Sequence, residues 1–285
     1  MTSADQGEDE GYKIDMERCF AALDPLMQRR QSLPVEPRSD FALDEEQLPE
    51  PAIDDWSWML LHVALDHVET LRVHSGRLPR GMGIWPVHSP WTLVRGALEA
   101  ASQLVWMVGS DDRDTRLERL LRFVHEDNEQ YEAATLLTHR PDKVKKKEIS
   151  DHIKATKEDF ERVSSPWVGK AHNRIRTDMN ILECIQEAGR LSEVVVNPDL
   201  AVQTWRIAGG YAHGRPWAHI STGNLVELEK LDDRTSRISG SIDFRYIRLA
   251  LIITTGIIQY GDWLMHKRSG RDVRLSMFGW KEDAT

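Results

Sequence analysis

Residues 90–108 form one helix that is apolar on nearly every side, and this narrows the class of fold open to the chain. A surface helix carries a single apolar stripe, whereas a helix apolar all round has to be wrapped by other elements. Its start is marked by Ser89-Pro90, an N-cap hydroxyl followed by proline at the first helical position. The run Leu249–Ile258 adds ten residues without a charge. A membrane span needs about 20, so the run predicts a buried core helix, opened at Asp243 and reaching to about Lys267.

The wrapping elements are helices too. Apolar spacing predicts a helix over 13–31, interrupted at Pro25, and another over 54–75 that Gly76 ends. The Gly- and Pro-rich stretch 76–88 reads as a loop. Asp111 or Asp112 opens a helix to about His139, a charged helix covers 142–164, and a further one covers 177–190. Asn197-Pro198-Asp199 starts the next, which stops at His213-Gly214-Arg215-Pro216. Short runs in 217–241, beginning with His219-Ile220-Ser221, predict a small β-hairpin-like insertion. The expected fold is an all-α bundle of about seven helices over 53–268, followed by a tail, 269–285.

Charge separates a front segment from this body. Residues 1–55 carry 15 acids against 5 bases in a chain of net charge −9, so the body is close to neutral. Residues 1–12 read as a disordered acidic tail. Pro34, Pro37, Pro49 and Pro51 give 33–52 the composition of a linker. Residues 1–52 are therefore expected to be a flexible segment with one short helix, suited to a protein partner. Within the body, 140–176 holds 11 bases against 6 acids, either a solvated face or a surface for phosphate. Cys19 and Cys184 lie too far apart for a metal cluster and make no secreted disulfide framework. The opening residues lack a charged-then-apolar leader pattern. A cytoplasmic location without a membrane partner is the expectation.

The segment Trp205–Pro216 carries the candidate chemistry. Arg206 and His213 are seven residues apart, two helical turns or about 10.5 Å along one face. A guanidinium binds phosphate in two-pronged fashion, and an imidazole titrates near neutrality. Together they can hold a phosphodiester and move its protons without a metal or a cofactor. The competing reading makes His213 a helix-end cation and pairs Arg206 with a carboxylate.

An all-α chain with an Arg-x6-His pair, Arg206 and His213, on a late helix resembles the HEPN (higher eukaryotes and prokaryotes nucleotide-binding) superfamily. The likeness extends over roughly 54–268 as helix order and this one motif. It implies a bacterial, metal-independent RNase or RNA-binding effector of a defence or toxin type, working as a homodimer on RNA. Arg206 would bind phosphate and His213 would do acid–base work, with Arg95, Glu99, Tyr211 and Arg215 around them. The chain departs from the pattern in three ways. Ile207 stands where a polar residue is favoured, the motif closes a helix instead of opening one, and Gly209-Gly210 weakens helix between the pair. Arg119-x5-His125 meets a similar spacing. These features favour the alternative, a non-catalytic helical binding or assembly protein in which Arg206 and His213 are structural.

Three further groups stand out. Arg95 and Glu99 sit four apart on the apolar helix, either as an ion pair or as the floor of a pocket beneath His213. His62 and Asp66 have helix-face metal spacing, but the matching Glu-x-x-His is missing. His172-Asn173-Arg174-Ile175-Arg176 could extend a basic surface. Trp91 and Trp106 are expected in the core, Trp205 and Trp217 as walls of a pocket. No Walker loop, Gly-x-Gly-x-x-Gly, Gly-x-Ser-x-Gly or Cys-x-x-Cys occurs, which argues against nucleotide-hydrolysing, dinucleotide-binding, α/β-hydrolase and zinc-ribbon classes.

Overall fold

The computed structural model describes residues 3–29, 31–76, 86–138, 145, 147–155, 158, 162, 179–193, 196–232 and 236–273. Its elements in chain order are α1 (Ser3–Gln28), α2 (Asp40–Gln47), α3 (Ile53–Gly76), α4 (Ser89–Val108) and α5 (Arg113–Thr138). A helical stretch over 147–155 is α6. Then come α7 (Ile181–Leu191), α8 (Pro198–Ala212), α9 (Pro216–Thr222), strands β1 (Gly223–Lys230) and β2 (Ser236–Ile242), and α10 (Phe244–Arg268). With ten helices and one two-stranded antiparallel sheet, the fold is mostly helical.

Helix α4 is the axis, packed on α3, α5, α7, α8 and α10. Trp91, Val94, Leu98, Ala101, Leu104, Val105 and Trp106 are all buried. Its C-terminal carbonyls would be orphaned in this apolar setting. Arg268, 2% exposed, donates to the Val108, Gly109 and Ser110 carbonyls and pairs with Asp40 and Asp111. The run Leu249–Ile258 lies in α10, most of it in the core. No helix among the described residues is long and apolar enough to cross a membrane.

The front segment corrects the expectation of a flexible arm. Helix α1 begins at Ser3, where a disordered tail was expected, and runs through Pro25 to Gln28. Met16, Cys19, Phe20, Leu23 and Leu26 enter the common core against α3 and α10. Pro25 lies on the exposed side, and Ala21, whose carbonyl loses its helical donor, is exposed as well, so the missing backbone bond costs little. The proline-rich stretch holds α2, capped by Ser39 Oγ, which accepts from the Ala42 N–H. Asp44 and Arg116, 0% and 1% exposed, form a two-pronged pair at 2.8 and 2.7 Å. A fully buried carboxylate requires such a partner, and here the partner is 72 residues away.

The other correction concerns 216–222. His219-Ile220-Ser221 belongs to α9, because Pro216 supplies a preset first helical turn. The hairpin follows, in register from Gly223↔Ile242 to Lys230↔Ser236 with a bulge between Glu227 and Glu229. The two short helices α2 and α9 account for most of the excess over seven. Much of the loop 76–88 and of the basic stretch 140–176, including His172, Arg174 and Arg176, lies outside the described residues.

Candidate functional site

Helix α8 begins where the sequence places it, with Asn197 Oδ1 accepting from the Asp199 N–H at 2.9 Å. It buries Ala201, Thr204, Ile207, Ala208, Gly210 and Tyr211. Ile207 thus serves packing, which accounts for an apolar residue beside Arg206. The helix runs on through Gly209-Gly210 to Ala212 and ends in a Schellman turn. Gly214, at φ 62°, donates to the Tyr211 carbonyl, and Arg215 donates to the Gly210 carbonyl at 2.7 Å. The turn leaves His213 exposed at the helix end.

The glycines have specific work. A Cβ on Gly210 would lie 2.7 Å from Ala218 Cβ and 2.9 Å from Trp217 Cζ2, so its absence lets α9 fold back onto α8. A Cβ on Gly209 would lie 2.9 Å from Arg95 Nη1, so its absence opens a slot for that guanidinium. Arg95 uses the slot to cross from α4 to α8. Its Nε donates to Glu99 Oε1 at 2.7 Å, and its Nη1 donates to His213 Nε2 at 2.9 Å. The guanidinium also lies over the Trp205 ring at 5.5 Å, and Trp205 Nε1 donates to the same Glu99 oxygen at 2.7 Å.

Arg95 and Glu99 are thus an i,i+4 ion pair, and the Arg95 guanidinium also reaches His213. Arg95, not Glu99, touches the imidazole. A guanidinium has no acceptor, so His213 receives this bond on Nε2 and carries its proton on Nδ1. Arg206 is exposed on the same face of α8, two turns before His213, and bonds to no described side chain. The side chain of Arg215 is exposed as well. Tyr211 turns inward. It is 1% exposed, stacks on Trp91 with centroids 5.0 Å apart, and shares a 3.1 Å hydroxyl bond with Thr222. Burial pushes its phenol above the usual range. What Tyr211 offers the seam is its backbone carbonyl.

That carbonyl leads to residues the sequence reading passed over. His88, exposed at the start of α4, places Nδ1 2.9 Å from the Tyr211 oxygen. His219 of α9 meets the His88 ring at 4.9 Å and the Tyr211 ring at 4.6 Å. Burial first, and then His88, hold His219 below the ordinary histidine range. A signal existed: His88 and Arg95 are seven apart on α4, as Arg206 and His213 are on the α8 segment.

The remaining candidates are placed elsewhere. Arg119 donates to the Trp106 carbonyl and pairs with Glu187 at 3.3 Å, so its guanidinium is engaged within the bundle. His62 and Asp66 line a groove with Asp24, Glu69 and Arg72, and Arg72 bridges Asp24 at 2.5 Å. His62 packs edge-on against Trp58. Comparison of the chain with protein families, curated proteins and solved structures gives no match.

Proposed function

We propose that the α4–α8 seam is the active site of a metal-independent ribonuclease of the HEPN-like kind. The observation that carries this reading is the 2.9 Å contact of Arg95 with an exposed His213, on the helix face that also bears Arg206. Glu99 and His213 occupy only part of the Arg95 donor set. Arg95 and Arg206 together offer a phosphodiester two cationic forks, which oppose the charge that builds on its free oxygens as the ribose 2′-hydroxyl attacks. His213 moves a proton in the course of the cleavage. The test is incubation of the purified protein with mixed RNA in the presence of a chelator. Degradation by the wild type that vanishes in His213→Ala, at unchanged melting temperature, supports the reading. Equal degradation by both proteins, or none by the wild type, overturns it.

A second reading, a non-catalytic assembly protein, is favoured by the hairpin, which leaves Val226, Leu228 and Leu231 more than half exposed. On that reading RNA stays intact, and Arg95 with Glu99 is a plain ion pair.

A further inference from the structure

Resting on the ribonuclease reading, the geometry points to His88 as the general base of the α4–α8 seam, with His213 as the group that protonates the leaving oxygen. The assignment follows from which ring nitrogen each partner covers. A backbone carbonyl can only accept, so the 2.9 Å contact with Tyr211 O puts the His88 proton on Nδ1. The Nε2 lone pair of His88 then points away from that bond, and no described residue bonds it. An imidazole whose Nδ1–H is tied to a carbonyl, with a bare Nε2 at an exposed position, is set up to take a proton. His213 is the converse case. Its Nε2 lone pair is occupied by Arg95 Nη1, so in the resting protein it has no free basic nitrogen.

Both histidines are tied to the C-terminal end of α8. His88 is bonded to the carbonyl of Tyr211, and His213 lies two residues further on, so about two Cα steps of 3.8 Å separate the anchor points. The loop closes through α4, where Arg95 sits two turns after His88 on the same face. The titratable groups set against His88 among the described residues are His219 of α9 and Tyr211 of α8. His219, whose pKa burial and then His88 lower, walls that side of the ring at 4.9 Å between centroids.

The step balances as follows. His88 Nε2 takes the proton of the ribose 2′-hydroxyl, and the 2′-oxygen forms a bond to phosphorus. Arg95 turns from His213 to the incoming phosphate, which frees His213 Nε2 to pick up a proton from water. As the bond from phosphorus to the 5′-oxygen breaks, His213 passes that proton to the leaving oxygen. The products are a 2′,3′-cyclic phosphate and a 5′-hydroxyl, and both imidazoles return to their starting forms by exchange with water. Substrate is thereby restricted to strands carrying a 2′-hydroxyl.

The test uses the full chain and an oligonucleotide with one ribonucleotide linkage, made with either oxygen or sulfur at the bridging 5′ position. Sulfur leaves without protonation, so it relieves the loss of an acid but not of a base. His88→Asn keeps a donor for the Tyr211 carbonyl but has no basic nitrogen. It is expected to slow both substrates by about 100-fold or more, at wild-type melting temperature. His213→Ala is expected to be slow on oxygen and to recover on sulfur. In His88→Ala, added imidazole is expected to restore cleavage, which a merely structural role would not allow. If the wild type cleaves and His88→Asn keeps pace with it, the ribonuclease reading stands and the assignment of His88 falls. If the wild type cleaves neither substrate, both fall together.

Discussion

Arg95 and His213 are separated by 118 residues and meet at 2.9 Å, a contact made possible by the missing side chain of Gly209. The proposed site thus joins two helices, with His213 on the turn that ends one of them.

The two adjacent glycines are expected to behave differently. In Gly209→Ala the new methyl meets only the mobile end of Arg95, and helix propensity improves by about 1 kcal/mol. Melting temperature should hold or rise while RNA cleavage drops, because Arg95 is pushed off His213. In Gly210→Ala the methyl meets Ala218 and Trp217 of α9, so the helix pair has to separate, at about 1–3 kcal/mol. Thermal melts paired with cleavage rates check this, and the reverse ranking of stabilities would contradict it.

Arg206 is exposed and takes no part in packing, so Arg206→Ala should leave the melting temperature within about a degree of wild type. On the proposed function it removes one phosphate contact. Affinity for RNA should fall, and the slope of log affinity against log salt should become shallower by about 1. An unchanged slope would take Arg206 out of the site.

Removal of residues 1–52 should abolish cooperative unfolding, since it strips Phe20, Leu23 and Phe41 from the core and leaves Arg116 buried without Asp44. The milder Asp44→Ala should cost about 3–5 kcal/mol in denaturant titration, the usual penalty for orphaning a buried charge. A stable, cooperatively folding 53–285 fragment would show that the front is an accessory after all.

Stability near α2 should depend on pH through Glu45. Burial, and then Asp54 and Asp55 at the start of α3, push its carboxyl up to about 7. The folded protein therefore holds this proton more tightly than the unfolded chain. The resulting stability is fully present below the ordinary value of 4.5 and is lost as pH rises through about 7. Glu45→Gln should raise the melting temperature at pH 8 and have little effect near pH 4. An equal effect at both would remove Glu45 as the cause.

Much of this architecture was legible from local signals. Asn197 and Asp243 cap their helices as the sequence indicates, because capping chemistry is local, whereas at Ser89-Pro90 the helix starts one residue early, with His88 at the N-cap position and no side-chain cap bond from Ser89. The front was misread because composition cannot show where an acid goes. Asp44 looks like one more surface carboxylate until α2 brings it against Arg116. Pro25 was read as an interruption because a proline on a solvent-facing helix side looks, in sequence, like one facing inward. Arg95, Glu99 and His213, singled out in the sequence, do lie against one another, whereas Tyr211 is buried and meets His88 through its backbone carbonyl. His88 was hidden in a stretch that reads as loop, since nothing local marks a histidine as bonded to a carbonyl 123 residues away.

The most direct measurement is end-group analysis of RNA fragments made by the purified wild-type protein in excess chelator. The account predicts 2′,3′-cyclic phosphate and 5′-hydroxyl ends, formed by attack of the neighbouring 2′-hydroxyl under His88, Arg95 and His213. Intact RNA, or fragments bearing 5′-phosphates, would contradict it.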